Sequence, residues 1–311
     1  MQITKTTLAR KTSQIAWSIF RTVLIIGLAF AIIQPLLIKL SSSFKGSEDL
    51  YNSSVFLIPK HFTLDNYIKV WDFIDYPLRF LNSVLYAAAC GLLQAASCSL
   101  AAYGMARFKF RGRGVVFALA LFTLVIPPQF SIISQFLIFK SFGPATLFSL
   151  GTVMSGVDLT GPLPLLLLSA TATGFKNGLY IYMLRQYFKN LPKEFEEAAY
   201  IDGCGRFRTF LQVIMPGAAS MTMTVFLLAF VWQWNDYLYV SSLAPGLNVF
   251  NTVISSVGSQ INSASFIHFA SGQGMLYDAA AMILFILPLL ILYLFVQRVF
   301  VQGIEKSGIV G

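Results

Sequence analysis

The sequence predicts an all-α integral membrane protein with six transmembrane helices. Of the 311 residues, 56% are hydrophobic and only 11% are charged, and the mean hydropathy is +0.70. A soluble domain carries about 25% charged residues, so this chain lacks the charge needed to cover a water-facing surface. Its apolar residues are gathered into six runs long enough to cross a bilayer core, which takes about 20 residues.

The six predicted spans have unequal connections. The first span follows basic residues, as a signal peptide would, but it is long and ends without a small-residue cleavage site, which favours a retained helix. Long polar connections, residues 41–79 and 241–278, follow the first and fifth spans. The spans are Arg21–Leu40, Phe80–Ala106, Gly114–Phe139, Leu163–Leu184, Gly217–Val240 and Ala279–Val301.

The basic residues indicate the orientation of these spans. Six spans place both termini on one side of the membrane, and short cytoplasmic connections carry an excess of Lys and Arg. With the termini inside, fifteen Lys and Arg residues are cytoplasmic and six are outside, with Lys176 left within the fourth span. The prediction is a multi-pass protein of the cell (plasma or inner) membrane with both termini cytoplasmic. The net charge of +9 then reflects orientation, and no nucleic-acid partner is expected.

Cysteine and histidine are too few to indicate redox or metal chemistry. Three cysteines and two histidines are scattered along the chain, without the spacing of a disulfide framework or a zinc cluster. An intramembrane enzyme would need a convergent nucleophile or metal set, which the sequence does not offer. We therefore expect neither a cofactor in this chain nor an enzyme.

The cytoplasmic connection 185–216 is typical of two short helices around a glycine turn. Asn190 can cap the first helix, and its acidic first turn suits the positive end of the helix dipole. Gly203 and Gly205 are expected to end that helix. A second helix follows with a stripe at helical spacing, formed by Phe207, Phe210, Leu211 and Ile214. Such a segment either presents a compact knob to a partner or lies on the lipid surface.

This connection resembles the EAA motif of ABC importer permeases. The matching residues are Glu197, Ala198, Ala199, Asp202, Gly203, Phe210, Ile214 and Pro216. Further similarities, such as Trp234-Asn235-Asp236, extend the resemblance from about residue 15 to the C-terminus. Within the family the chain resembles the carbohydrate-uptake branch, specifically the second permease subunit of maltose- and oligosaccharide-type systems. It departs from the pattern at Cys204, where the family more often has Ala, and in the loop 241–278.

The resemblance implies the type I ABC importer permease fold with cytoplasmic coupling helices. Residues 77–302 would form the transmembrane domain, including the coupling loop 185–216. Residues 1–76 would hold an N-terminal cytoplasmic tail, the first span and an outer loop, and 303–311 a cytoplasmic C-terminal tail. The implied function is half of an ATP-driven pathway for a sugar or oligosaccharide.

The same resemblance implies the partners. They are a second homologous permease subunit, two cytoplasmic ATPase subunits, an extracellular solute-binding protein, a saccharide substrate and membrane lipid. ATP and Mg would be bound by the ATPase subunits, because this chain contains no G-x-x-x-x-G-K-[ST] phosphate loop. Glu197 would hold the knob on an ATPase subunit, Ala198 and Ala199 would allow close approach, and Asp202 and Gly203 would form the turn.

Polar residues within the spans predict the substrate pathway. Lys176 and Asp236 carry charge where charge is costly, so each is expected to face a polar cavity or a partner. Together with nearby amide and aromatic side chains they suit a sugar, and the predicted pathway residues are Lys176, Asn177, Trp234, Asn235 and Asp236. The alternative is a structural ion pair between Lys176 and Asp236, within the chain or across subunits.

The alternative class of transporter is a secondary transporter. A secondary transporter would work without an ATPase and would be expected to show internal repeats with broken helices in matching halves. The sequence shows no such self-similarity.

Overall fold

The computed structural model describes residues 2–52, 55–143, 157–264 and 272–306. Within these ranges the chain is helical, with two isolated bridges and no strand, which confirms the all-α prediction. The chain divides into two compact units, one of Met1–Ile74 with Ser256–Ile286 and one of Asp75–Ser255 with Leu287–Gly311.

The described helices are numbered here in chain order. Those that precede residue 200 are α1 (Gln2–Ser43), α2 (Asp65–Phe73), α3 (Tyr76–Arg107), α4 (Arg113–Phe122), α5 (Pro128–Lys140), α6 (Pro162–Ala170) and α7 (Asn177–Asn190). The remaining helices are α8 (Glu194–Ile201), α9 (Arg206–Gly217), α10 (Ala219–Asn235), α11 (Leu238–Leu243), α12 (Val257–Ala264) and α13 (Gln273–Lys306).

Three described helices are long and apolar enough to cross a membrane. They are Gln14–Ser43 within α1, all of α3, and Gln273–Arg298 within α13, and they correspond to the predicted first, second and sixth spans. The pair α9 and α10 would provide a fourth span if it is counted as one, although it is bent by 82°. The other predicted spans differ from the expectation because they are divided into shorter helices.

The third predicted span, Gly114–Phe139, is divided at a proline pair. Pro127 adopts an extended conformation with φ −61° and ψ 134°, and Pro128 begins α5. Proline lacks an N–H and forces the preceding residue out of the helical region. The structure accordingly has a break of five residues between α4 and α5.

The fourth predicted span, Leu163–Leu184, is also divided, and here the prediction of one continuous helix was wrong. Ala172 and Lys176 have positive φ angles of 56° and 65°, a conformation that a right-handed helix excludes. Lys176 therefore lies in the break between α6 and α7 and immediately precedes α7. The fifth predicted span is similarly divided into α10 and α11, with Asp236 between them.

In the second unit α3 occupies the centre. It packs against α6, α7 and α10, and its buried face carries small side chains that let neighbouring helices approach closely. Those buried small residues are Ala87, Cys90, Ala95, Cys98 and Ala102. The C-terminal end of α3 therefore packs in the same core as the helices that flank the breaks.

In the first unit polar side chains hold the loop that follows α1 against the end of that helix. Lys45 Nζ donates to two loop carbonyl groups, at 3.1 and 2.9 Å. The Asp49 carboxylate accepts from the backbone N–H groups of Lys60 and His61, both at 2.9 Å, and contacts His61 Nδ1 at 2.8 Å. These contacts give the loop a defined conformation rather than that of a simple linker.

Candidate functional site

The segment 191–217 forms the predicted pair of short helices, with shifted ends. The first helix, α8, begins at Glu194, and Asn190 instead ends α7, so the predicted Asn190 cap was wrong. Gly203 has φ +81°, the left-handed conformation expected after a helix. Gly205 has φ −69° and precedes α9 in extended conformation, so it contributes no left-handed turn.

An ion pair fixes α8 to the end of α3. Arg107 Nε lies 2.9 Å from Glu196 Oε1, and the two side chains are only 7% and 10% exposed. Arg107 also donates to the carbonyl oxygen of Leu191 at 2.7 Å. Sequence reasoning named Glu197 and missed Glu196, which is the buried member of the pair of glutamates.

The second helix attaches through a π-helical turn. Phe210–Ile214 forms this turn within α9, and Phe210 and Ile214 are buried. The Phe210 ring lies 4.9 Å from the ring of Tyr103. The predicted stripe is therefore only half internal, since Phe207 and Leu211 are 64% and 49% exposed. Single π-turns inside helices occur frequently at functional sites.

The exposed side of this segment carries several large apolar side chains among charged ones. Ile201 is 86% exposed, and we call its surroundings the coupling surface, formed by Phe195, Glu197, Ala198, Tyr200, Ile201, Asp202, Gly203, Phe207 and Leu211. Of the predicted coupling residues, Glu197, Ala198, Asp202 and Gly203 belong to it, whereas Ala199 is buried. Large apolar side chains exposed on one segment are typical of a binding site for another protein.

The predicted pathway residues do not come together at one surface. Lys176 Nζ lies 4.8 Å from the ring centre of Phe175 and 4.7 Å from that of Trp232. No carboxylate of the described residues lies within ion-pair distance of Lys176, so the proposed pair with Asp236 within this chain does not form. Lys176 lines a cavity of 240 Å³, and Asp236 lines a smaller one beside it.

The remaining three predicted pathway residues have local roles. Asn177 is buried, and its amide meets that of Gln94 at 2.8 Å. Trp234 is 2% exposed and stacks on Phe230 at 6.0 Å. Asn235 Nδ2 donates to the carbonyl oxygen of Val231, in its own helix, at 2.7 Å. None of the three lines the 240 Å³ cavity.

Asp236 serves the backbone around it. Its Oδ1 accepts from the N–H of Tyr239 at 3.1 Å, and its carbonyl oxygen accepts from Asn251 Nδ2 at 2.6 Å. The carboxylate thus caps the first turn of α11, a role that stabilises helix starts generally.

A buried polar network that sequence reasoning missed lies behind Lys176. Tyr86 donates to Gln233 Oε1 at 2.6 Å, and Gln233 donates to Gln94 Oε1 at 3.3 Å. Gln94 Nε2 lies 3.1 Å from the carbonyl oxygen of Phe175, to which it donates. Two glutamines within apolar spans were the available signal, because buried amides need partners.

Comparisons with known proteins agree with this geometry. Residues 98–306 match the family described as "Binding-protein-dependent transport system inner membrane component". The chain is 30% identical over 257 residues to the alpha-glucoside transport system permease protein AglG of Rhizobium meliloti, covering 81% of this chain and 62% of that protein. It is 28% identical over 305 residues to the maltodextrin transport system permease protein MdxG of Bacillus subtilis, covering 97% of this chain and 98% of that protein.

A solved structure shares the fold. It is described as a bacterial ABC transporter involved in the import of the acidic polysaccharide alginate, and it matches with a TM-score of 0.72 at 21% identity over 92% of this chain and 97% of that one. The all-helical architecture is thus that of an ABC importer permease. The family match, which covers the coupling surface and the broken spans alike, leads to one conclusion: the chain belongs to the binding-protein-dependent transport system inner membrane components and is the permease component of an ABC importer.

Proposed function

We propose that this permease forms half of the pathway for a sugar or oligosaccharide. Its relatives AglG and MdxG are named for alpha-glucoside and maltodextrin transport, which supports a carbohydrate substrate. The family assignment favours an ATP-driven importer over the secondary transporter that the sequence left as an alternative.

The proposed topology has six crossings. The three long helices supply the first, second and sixth spans, and the broken pairs α4 with α5 and α6 with α7 supply the third and fourth. The fifth is α10 with α11. The excess of basic residues on one side supports cytoplasmic termini, and the proposed organisation remains a tail, span and outer loop in 1–76, a transmembrane domain in 77–302 and a tail in 303–311.

The proposed complex contains a second homologous permease, two cytoplasmic ATPase subunits that bind ATP and Mg, and an extracellular solute-binding protein. The observation that carries this proposal is the coupling surface. It exposes large apolar side chains, it is attached to α3 by a buried ion pair, and it carries the EAA motif. A groove on an ATPase subunit would cover it, with Glu197 at the edge of the contact.

The attachment explains how movement could pass into the membrane. When two ATPase subunits close on ATP, a segment docked on each would be displaced with them. Because α8 is fixed to α3, and α3 packs against α6, α7 and α10, the displacement moves these helices as one body. Rigid-body movement of this kind is a common form of switching between states.

Replacement of Gly203 tests this proposal. Space around Gly203 is open, so the effect of Gly203→Val arises from its φ of +81°, which costs a β-branched residue about 1–3 kcal/mol. We expect the purified complex to assemble but to hydrolyse ATP without matching sugar uptake. Gly203→Asn is the matched control because Asn tolerates the left-handed conformation.

A second control separates the effect of backbone strain from the effect of adding a side chain. Gly205 is also in open space and has an ordinary φ of −69°, so Gly205→Ala should keep coupling. A wild-type ratio of sugar transported to ATP hydrolysed in Gly203→Val would reject the role of this turn.

A further inference from the structure

The breaks in the third and fourth predicted spans meet at one cavity. Its volume is 240 Å³, and it lies entirely within the second unit. Non-helical backbone at membrane depth is tolerated where it is buried in protein or lines a cavity, and transporters build substrate sites from interrupted helices. The lining residues used below are Pro127, Ser131, Gln135, Thr173, Lys176 and Tyr239.

Lys176 gives this cavity a positive charge without a counter-charge. The rings of Phe175 and Trp232 lie within 5 Å of its Nζ, and such contacts partly compensate a cation. No carboxylate of the described residues pairs with it. Lys176 also precedes α7, a helix of 14 residues, so the positive end of the helix dipole adds to its field.

Neutral polar groups share the cavity with Lys176. Gln135 Oε1 is shielded from solvent and has no hydrogen-bond partner among the described residues. A buried carbonyl oxygen without a donor is costly, and a sugar hydroxyl would supply the donor. Ser131 and Thr173 also line the cavity. The Ser131 hydroxyl donates to the carbonyl oxygen of Pro128 and the Thr173 hydroxyl meets that of Thr171, and each hydroxyl oxygen can still accept from a sugar hydroxyl.

The Lys176 loop is held in place from behind. Gln94 donates to the carbonyl oxygen of Phe175 at 3.1 Å and meets the amide of Asn177 at 2.8 Å. Both neighbours of Lys176 are therefore tied to α3, and the aromatic rings limit the motion of its side chain. Such preorganisation is what a binding group needs, because less freedom is lost when the ligand arrives.

We propose that this cavity is a subsite for an acidic saccharide, in which a carboxylate of the substrate pairs with Lys176 and a hydroxyl donates to Gln135. The proposal rests on the proposed carbohydrate pathway and names its substrate class. The volume of 240 Å³ is below the range of about 300–1,000 Å³ typical of pockets for drug-sized ligands. The subsite therefore receives one sugar unit of a longer chain.

Equilibrium binding to the assembled transporter tests this subsite. The complex of both permeases and the ATPase subunits is placed in nanodiscs without the binding protein, and binding of radiolabelled trigalacturonate is compared with that of maltotriose. We expect wild type to prefer the acidic trisaccharide by about tenfold or more, the scale of a charge-assisted hydrogen bond. Lys176→Met should lose this preference and Lys176→Arg should keep it.

Lys140→Met is the matched control. Lys140 also lies over an aromatic ring, 5.2 Å from the centre of Phe136, in the same unit but outside the cavity lining, so its removal should leave the preference unchanged. If Lys176→Met does not assemble, Gln135→Leu replaces it. That variant removes an unsatisfied acceptor and should weaken binding of both trisaccharides severalfold.

The outcomes separate this inference from the proposed function. Equal binding of the two probes by wild type, no binding of either, or a preference retained in Lys176→Met would each overturn the acidic subsite. Unchanged binding in Gln135→Leu would do the same. ATP-driven uptake is measured in parallel with the cognate binding protein, and its absence in wild type for every carbohydrate offered would reject the proposed function instead.

Discussion

The ion pair between Arg107 and Glu196 is expected to decide whether segment 191–217, the coupling segment, stays attached to α3. The two side chains are 7% and 10% exposed and lie 2.9 Å apart. Glu196→Gln keeps the shape of the side chain but leaves a buried guanidinium without its counter-charge. Breaking a buried pair from one side costs about 3–5 kcal/mol, and the lower end is expected because Arg107 keeps its bond to the Leu191 carbonyl oxygen.

Thermal unfolding of the purified complex measures this loss. At about 2–4 °C per kcal/mol for a domain of this size, Glu196→Gln should lower the Tm by about 6 °C or more. Glu197→Gln is the matched control, since Glu197 is exposed and surface substitutions usually stay within about 0.5 kcal/mol. Stimulation of the ATPase subunits should fall in Glu196→Gln because the segment detaches.

A double variant tests the cause. Arg107→Met combined with Glu196→Leu removes both charges, and apolar residues of similar volume often replace a buried pair without net loss. It should recover most of the Tm. If Glu196→Gln unfolds at the wild-type temperature, or if Glu197→Gln is the more damaging change, the attachment does not depend on this pair.

Two further predictions concern packing and pH. Gly178→Ala should destabilise the complex by about 1–3 kcal/mol, because its added methyl group would overlap the carbonyl oxygen of Ala120. Gly104→Ala is the control, since the space around Gly104 is open, and the Tm of each variant measures the difference. Burial raises the pKa of Asp49, but hydrogen bonds from His61 and the neighbouring backbone outweigh it and hold the pKa below its ordinary value of 3.8. The ionised Asp49 therefore stabilises the folded protein above pH 3.8, and this stabilisation is lost as the pH falls through the lowered pKa. In a series of Tm measurements from pH 6 to pH 3, the decrease in Tm should be smaller for Asp49→Asn than for wild type.

The sequence predicts the structure correctly where a single local property, such as the length of an apolar run, determines it. The first, second and sixth spans follow from the length of their apolar runs alone, and α1, α3 and α13 confirm them. The turn after α8 follows from Gly203, because glycine adopts the left-handed conformation readily. The three spans and the turn are local features, so none of them depends on residues far away in the chain.

The breaks could not be predicted in the same way. The run Leu163–Leu184 is apolar on both sides of residues 171–176, and Ala172 is a good helix former. What holds the break open is distant in sequence: Gln94 of α3 donates to the carbonyl oxygen of Phe175. Similarly, nothing in the pair Glu196 and Glu197 shows which side chain is buried until Arg107 is placed beside α8.

The helix α3 joins the coupling segment to the cavity at Lys176. Arg107 at its end holds the coupling segment, and Gln94 in its middle holds the loop that carries Lys176. Arg107 follows Gln94 by thirteen positions of unbroken helix, a distance of about 20 Å at 1.5 Å per residue. A rod transmits displacement, whereas a broken span absorbs it. Because Gln94 ties the Lys176 loop to α3, and the break between α4 and α5 lines the same cavity, movement of the coupling segment should shift Lys176 against that break and so change the cavity. The charge preference of the cavity should therefore depend on the nucleotide bound by the ATPase subunits, and Glu196→Gln should remove that dependence while leaving the preference itself.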